Sequence, residues 1–118
     1  MWTPEALSEE LERNYNCLSE YSAKLALVEV RLYDANAELT RVREWHRLND
    51  APETLGKNEA QRMAAIAEKC KGETAVVSEL EKQRMGYRGF VENARIRIEH
   101  LRAQLRILEL QAGLQRAA

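Results

Sequence analysis

Leucine returns every seventh residue through the first third of this chain, at Leu11, Leu18, Leu25, Leu32 and Leu39. A second seven-residue series, Leu7, Asn14, Tyr21, Val28, Ala35 and Val42, runs between those leucines at spacings of three and four. Both series fall on one narrow stripe of a helix, the heptad pattern of a coiled-coil seam. Such a helix buries its stripe only against another helix, so the chain must supply a second one or recruit it.

The chain supplies one. From Met63 the same alternation runs through Ile66, Cys70, Glu73, Val77, Leu80, Arg84, Tyr87, Val91, Ala94, Ile98, Leu101, Leu105, Leu108 and Ala112. Glu73 and Arg84 place charges on that stripe. Gly72, Gly86 and Gly89 each cost about 1 kcal/mol relative to alanine in a helix interior. A continuous second helix is expected, with a break at Gly86 and Gly89 as the alternative. Gly113 is a natural stop.

Start and stop signals bound the two arms. Thr3 caps, Pro4 suits the first helical position, and Glu5, Glu9 and Glu10 favour the positive end of the helix dipole. The run Asn49, Asp50, Ala51 and Pro52 supplies turn formers, Pro52 disfavours helix at Ala51, and Gly56 follows. Asn58 and Gln61 have the spacing of a capping box. The expectation is a single all-α domain over 1–118, an antiparallel long-helix hairpin: helix one over about 4–48, a loop over about 49–57, and helix two over about 58–112.

Folding the arms symmetrically about that loop sets Leu39 against Ile66, Leu25 against Leu80, Leu11 against Ala94 and Leu7 against Ile98, with Arg84 beside Tyr21. The second arm is the longer by roughly 14 Å. Leu101, Leu105 and Leu108 then overhang, with only Met1 and Trp2 nearby. Val30, Trp45, Phe90, Ile96 and Ile107 fall off the strict seam. Unburied apolar residues of this kind imply a homo-oligomer formed through the seam and the overhanging Leu101, Leu105 and Leu108.

The chemistry-bearing residues are sparse. His46 and His100 are the only histidines, and Cys17 and Cys70 the only cysteines. They lie too far apart for the short paired spacings of a zinc site. There is no glycine-rich phosphate loop, serine elbow or His-Glu-x-x-His motif. The glutamates at 9, 10 and 12 read as helix surface. No enzyme, metal or cofactor is expected. No stretch has the eighteen-odd apolar residues of a membrane span, and no basic segment leads into an apolar core as in a signal peptide. A cytoplasmic protein with no membrane partner is the default.

Charge is distributed unevenly. Residues 1–38 carry eight acids and three bases, a net of −5. Residues 82–106 carry seven bases and two acids, a net of +5. Within the second run, Lys82, Arg88, Arg95 and Arg102 recur at six or seven residues, with Tyr87 and Phe90 interleaved. Arginines for phosphates and aromatics for bases form a single-strand binding platform. The plainer alternative is that these arginines pair with the acids of helix one.

The segments carrying Met63, Ala64, Ala65 and Ile66, then Tyr87, Arg88, Gly89, Phe90 and Val91, then Ile98, Glu99, His100, Leu101 and Arg102, resemble the bacteriophage recombination mediators of the UvsY type. The resemblance covers roughly residues 58–112 and, more loosely, the first helix. It implies an oligomer that binds single-stranded DNA and helps a recombinase displace single-strand-binding protein, in the host bacterial cytoplasm. The matching positions for DNA contact are Arg84, Arg88, Arg95, Arg97 and Arg102. The chain departs from that pattern in its isoelectric point of about 6.2, low for a DNA binder. Two other readings remain open: a small phage-type helical adaptor or inhibitor of a host protein, contacting through the Leu101 stripe or the Trp45 tip, and a structural coiled-coil spacer.

Overall fold

The computed structural model describes residues 2–51 and 55–117. Pro52, on which the expected loop turned, lies outside the described residues, as does Met1. Among the described residues the helices α1 (Pro4–Asn49), α2 (Glu59–Lys69) and α3 (Lys71–Ala117) follow in order. Among the described residues there is no strand. The fold is all-helical, with the two long helices packed against each other.

α1 begins as its sequence requires. The Thr3 hydroxyl accepts a hydrogen bond from the Ala6 amide at 3.1 Å, and the Leu7 amide donates to the Thr3 carbonyl at 3.0 Å. Trp2 and Leu7 occupy the two positions of a hydrophobic staple around this cap. Leu7 is fully buried and Trp2 half-buried. The other end closes with the Asn49 side chain donating to the Trp45 carbonyl at 2.8 Å.

The second arm starts at a capping arrangement. Asn58 Oδ1 accepts from the Gln61 amide at 2.8 Å, while Gln61 Oε1 accepts from the Lys57 amide at 2.9 Å. The return bond thus goes one residue earlier than in the usual box. Gly56 just before it has φ +123°, a backbone that favours glycine.

The second arm is interrupted once, and not at its glycines. Cys70 leaves helical geometry with φ −98° and ψ 16°, dividing α2 from α3. Hydrogen bonds from the Cys70 amide to Ile66 (3.0 Å) and from the Thr74 amide to Cys70 (2.9 Å) bridge the junction, so it is a one-residue bend. α3 runs through Gly86 and Gly89 unbroken and passes Gly113 to Ala117. The glycine penalty of about 1 kcal/mol each is outweighed by burial of the seam on both sides, with Val77, Val91, Ala94 and Ile98 inside.

The described chain groups into two compact units. One comprises residues 26–84, and its core is Leu32, Leu39, Cys70 and Val77, flanked by Ala35, Val42, Ile66 and Leu80. Met63, assigned to the seam by its spacing, is 65% exposed. It lies on the rim of a groove with Arg47, beyond the packed part of the stripe.

The other unit comprises residues 1–25 and 85–118, and its fully buried side chains are Leu7 and Leu101. Its register differs from the symmetric fold. Pro4 and Ser8 share a groove with Leu105, Leu108 and Ala112, and Tyr21 stacks on Phe90 with ring centroids 4.8 Å apart. Tyr87 is its second ring neighbour at 6.3 Å, so aromatic rings stand where Arg84 was expected. In this unit α3 is displaced along α1 by one to two helical turns, roughly 5–10 Å. The displacement removes the overhang. Leu101 is 0% exposed, and Leu105 and Leu108 are half-buried against the chain's own first helix.

Candidate nucleic-acid interface

The heptad seam of α3 decides where its arginines point. At about 100° per residue, Arg88, Arg95 and Arg102 share one flank of the seam, and Arg106, four residues after Arg102, joins them. All four are exposed. Arg97 is also exposed but falls on the opposite flank with Phe90. Arg84 sits on the seam itself, half-buried, with its Nε buried and unpartnered. The five arginines drawn from the sequence therefore do not form one surface.

Two aromatic residues outside the expected site meet these arginines. The Arg102 guanidinium lies 5.3 Å from the centre of the Tyr15 ring, and Arg97 lies 5.9 Å from that of Trp2. Tyr15 remains 39% exposed, leaving part of its ring open beside Arg102. Cation–π contacts at such exposed sites contribute about 0.5–1 kcal/mol. They orient the guanidinium without neutralising it.

The acids of α1 make mostly local pairs. Glu10 takes Arg13 at 3.3 Å, Glu20 takes Lys24 at 3.0 Å, Glu38 takes Arg41 at 2.6 Å and Glu44 takes Arg47 at 2.7 Å. The hydrogen bond from Arg41 holds the Glu38 carboxyl below its ordinary range, and Glu20 raises the Lys24 ammonium. Among the described residues, no ion pair joins Lys82, Arg84, Arg95, Arg97, Arg102 or Arg106 to an acid. For these six the plainer alternative, neutralisation by helix one, is not what the structure does.

The histidines serve separate surroundings. His46 Nδ1 lies 2.8 Å from Asp50 Oδ2, and its ring meets Trp45 edge-on at 5.1 Å. His100 Nε2 lies 3.2 Å from Gln104 Nε2. Among the described residues, no group of three His, Cys, Asp or Glu side chains is placed to hold a metal ion. Nor, among the described residues, is any helix long and apolar enough to cross a membrane.

No family model matches this sequence, and no curated protein or solved structure shows significant similarity to it.

Proposed function

We propose that this chain is a non-catalytic helical protein that binds single-stranded nucleic acid along the Arg95, Arg102 and Arg106 flank of α3. One observation carries the reading: these guanidinium groups are exposed and unneutralised by the chain's own acids, with the open Tyr15 ring beside Arg102. Guanidinium groups engage backbone phosphates, and an exposed ring stacks bases without regard to sequence. Arg88 extends the flank by a further heptad. The acids of α1 are partly offset by bases on their own helix, which lessens their opposition to a polyanion.

The resemblance of residues 58–112 to phage recombination mediators adds a biological setting. In that setting the protein holds single strands for a recombinase and favours displacement of single-strand-binding protein. A second reading is favoured by Trp45, which is 52% exposed over a groove shared with Arg41 and Val42. A helical adaptor or inhibitor would use this apolar tip to grip a protein.

Salt separates the two. Fluorescence anisotropy of a labelled single-stranded oligonucleotide, titrated at two salt concentrations, should show binding that weakens steeply with salt. Absence of binding at low salt by folded protein would discard the nucleic-acid reading and leave the Trp45 tip.

A further inference from the structure

Beyond the packed part of the seam, α1 and α2 leave a trough between them. At about 100° per residue, Arg43 and Arg47 lie to one side of the seam residue Val42, and Arg41 and Trp45 to the other, so the trough is on the flank away from Trp45. It consists of two adjoining grooves that share Arg47, Met63 and Ile66. Leu55 and Arg62 join the lining of one, Arg43 and Ala67 that of the other. The floor is aliphatic: Leu55 is buried and Ile66 half-buried, with Met63 65% exposed above them. A flexible thioether chain left in solvent over such a floor can repack against an incoming apolar surface.

The charges on the rim select the occupant. Glu44 is taken by Arg47 and Asp50 by Lys69, each at 2.7 Å. Among the described residues Arg43 and Arg62 have no ion pair, so each groove carries one open guanidinium. The remaining acid of the lining, Glu59, lies in the first turn of α2, where the helix dipole offsets it. We infer that the trough docks an acidic amphipathic helix of a partner protein, its apolar face on Met63 and Ile66 and its flanking carboxylates on Arg43 and Arg62. The described residues include no strand whose edge an extended peptide could join, whereas a third helix laid along two completes a bundle. No aromatic ring is among the described lining residues, so the trough lacks the stacking surface of a single-strand site. It lies within the unit 26–84 and shares no residue with the Arg95, Arg102 and Arg106 flank, so the inference stands apart from nucleic-acid binding.

The test titrates isotope-labelled full-length chain with a synthetic peptide of about 18 residues, long enough to form a helix in water. It carries leucines at helical spacing along one face and glutamates beside them; a control peptide has lysines in place of the glutamates. The glutamate peptide should bind at least tenfold more tightly than the control and shift the amide resonances of Arg43, Arg47, Met63 and Ile66 most. Met63→Glu should weaken it at least tenfold, and Arg43→Glu with Arg62→Glu should reverse the preference between the peptides, with helicity confirmed for each variant by circular dichroism. Equal affinity for the two peptides would overturn the proposal, as would no binding of either. So would shifts centred on the α3 arginines, or these same shifts produced by anionic vesicles or by raising the protein concentration alone.

Discussion

Lys69 Nζ lies 2.7 Å from Asp50 Oδ2, and His46 Nδ1 reaches the same oxygen at 2.8 Å. The last residue of α2 is thereby tied to the residue just past α1. The carboxylate is the enclosed partner, with a side chain only 13% exposed against 40% for Lys69. The Lys69 hydrogen bond, and after it the His46 one, hold the Asp50 carboxyl below its ordinary range, against a burial that pushes it up.

A carboxyl whose folded pKa is lowered adds stability above its unfolded value and loses it as pH falls through the folded one. The unfolded value for aspartate is about 3.9. Asp50→Asn should therefore melt below the parent chain at neutral pH, and the gap should close as the pH drops below about 4. Circular dichroism melts across the acid range measure this. A gap that stays constant with pH would deny Asp50 any electrostatic role.

One substitution should act with opposite sign at two glycines. A Cβ at Gly56 would stand 2.6 Å from the Gln61 Cβ, on a backbone of φ +123°. A Cβ at Gly86 would meet nothing within 4 Å, in the middle of α3. Gly56→Ala should lower the urea midpoint by straining the turn into α2. Gly86→Ala should raise stability by about 0.5–1 kcal/mol, through helix propensity and a less flexible unfolded chain.

Leu101 lies wholly inside the unit built from 1–25 and 85–118. Leu101→Ala should cost about 2–5 kcal/mol in denaturant unfolding, the usual range for a buried leucine. The cysteines offer a parallel check. Cys17 is exposed, whereas Cys70 is 0% exposed in the Leu32, Leu39 and Val77 cluster. A thiol reagent should modify Cys17 rapidly in native protein and reach Cys70 only on unfolding.

Which residues line the seam was legible, because burial follows the heptad from Leu7 and Val28 to Leu39, and again from Cys70 to Leu101. Their register was not. Sliding one heptad helix past another by seven residues keeps apolar facing apolar, so Leu7 opposite Ile98 and Ser8 beside Leu105 look alike in sequence. The Tyr15 contact with Arg102 depends on that register and was hidden with it. Exposure of Arg95 and Arg102 needs only their angle from the seam, and that angle is written in the spacing. The bend at Cys70 has no local signal, since neither proline nor glycine occupies that position.

Removing Arg95 and Arg102 together should change the salt dependence of single-strand binding as well as its strength. Each guanidinium taken from a phosphate lowers the slope of log affinity against log salt by about 0.7 for single strands, so the double alanine variant should be flatter by about 1.4. Tyr15→Ala should behave differently. Removing one stacked base costs about 1–3 kcal/mol across all sequences and leaves the slope nearly unchanged, because no counterion release is involved. Titrations of parent and variants at four or more salt concentrations separate the two effects. Equal slopes for the parent and the arginine variant would remove this flank from the site, even if affinity fell.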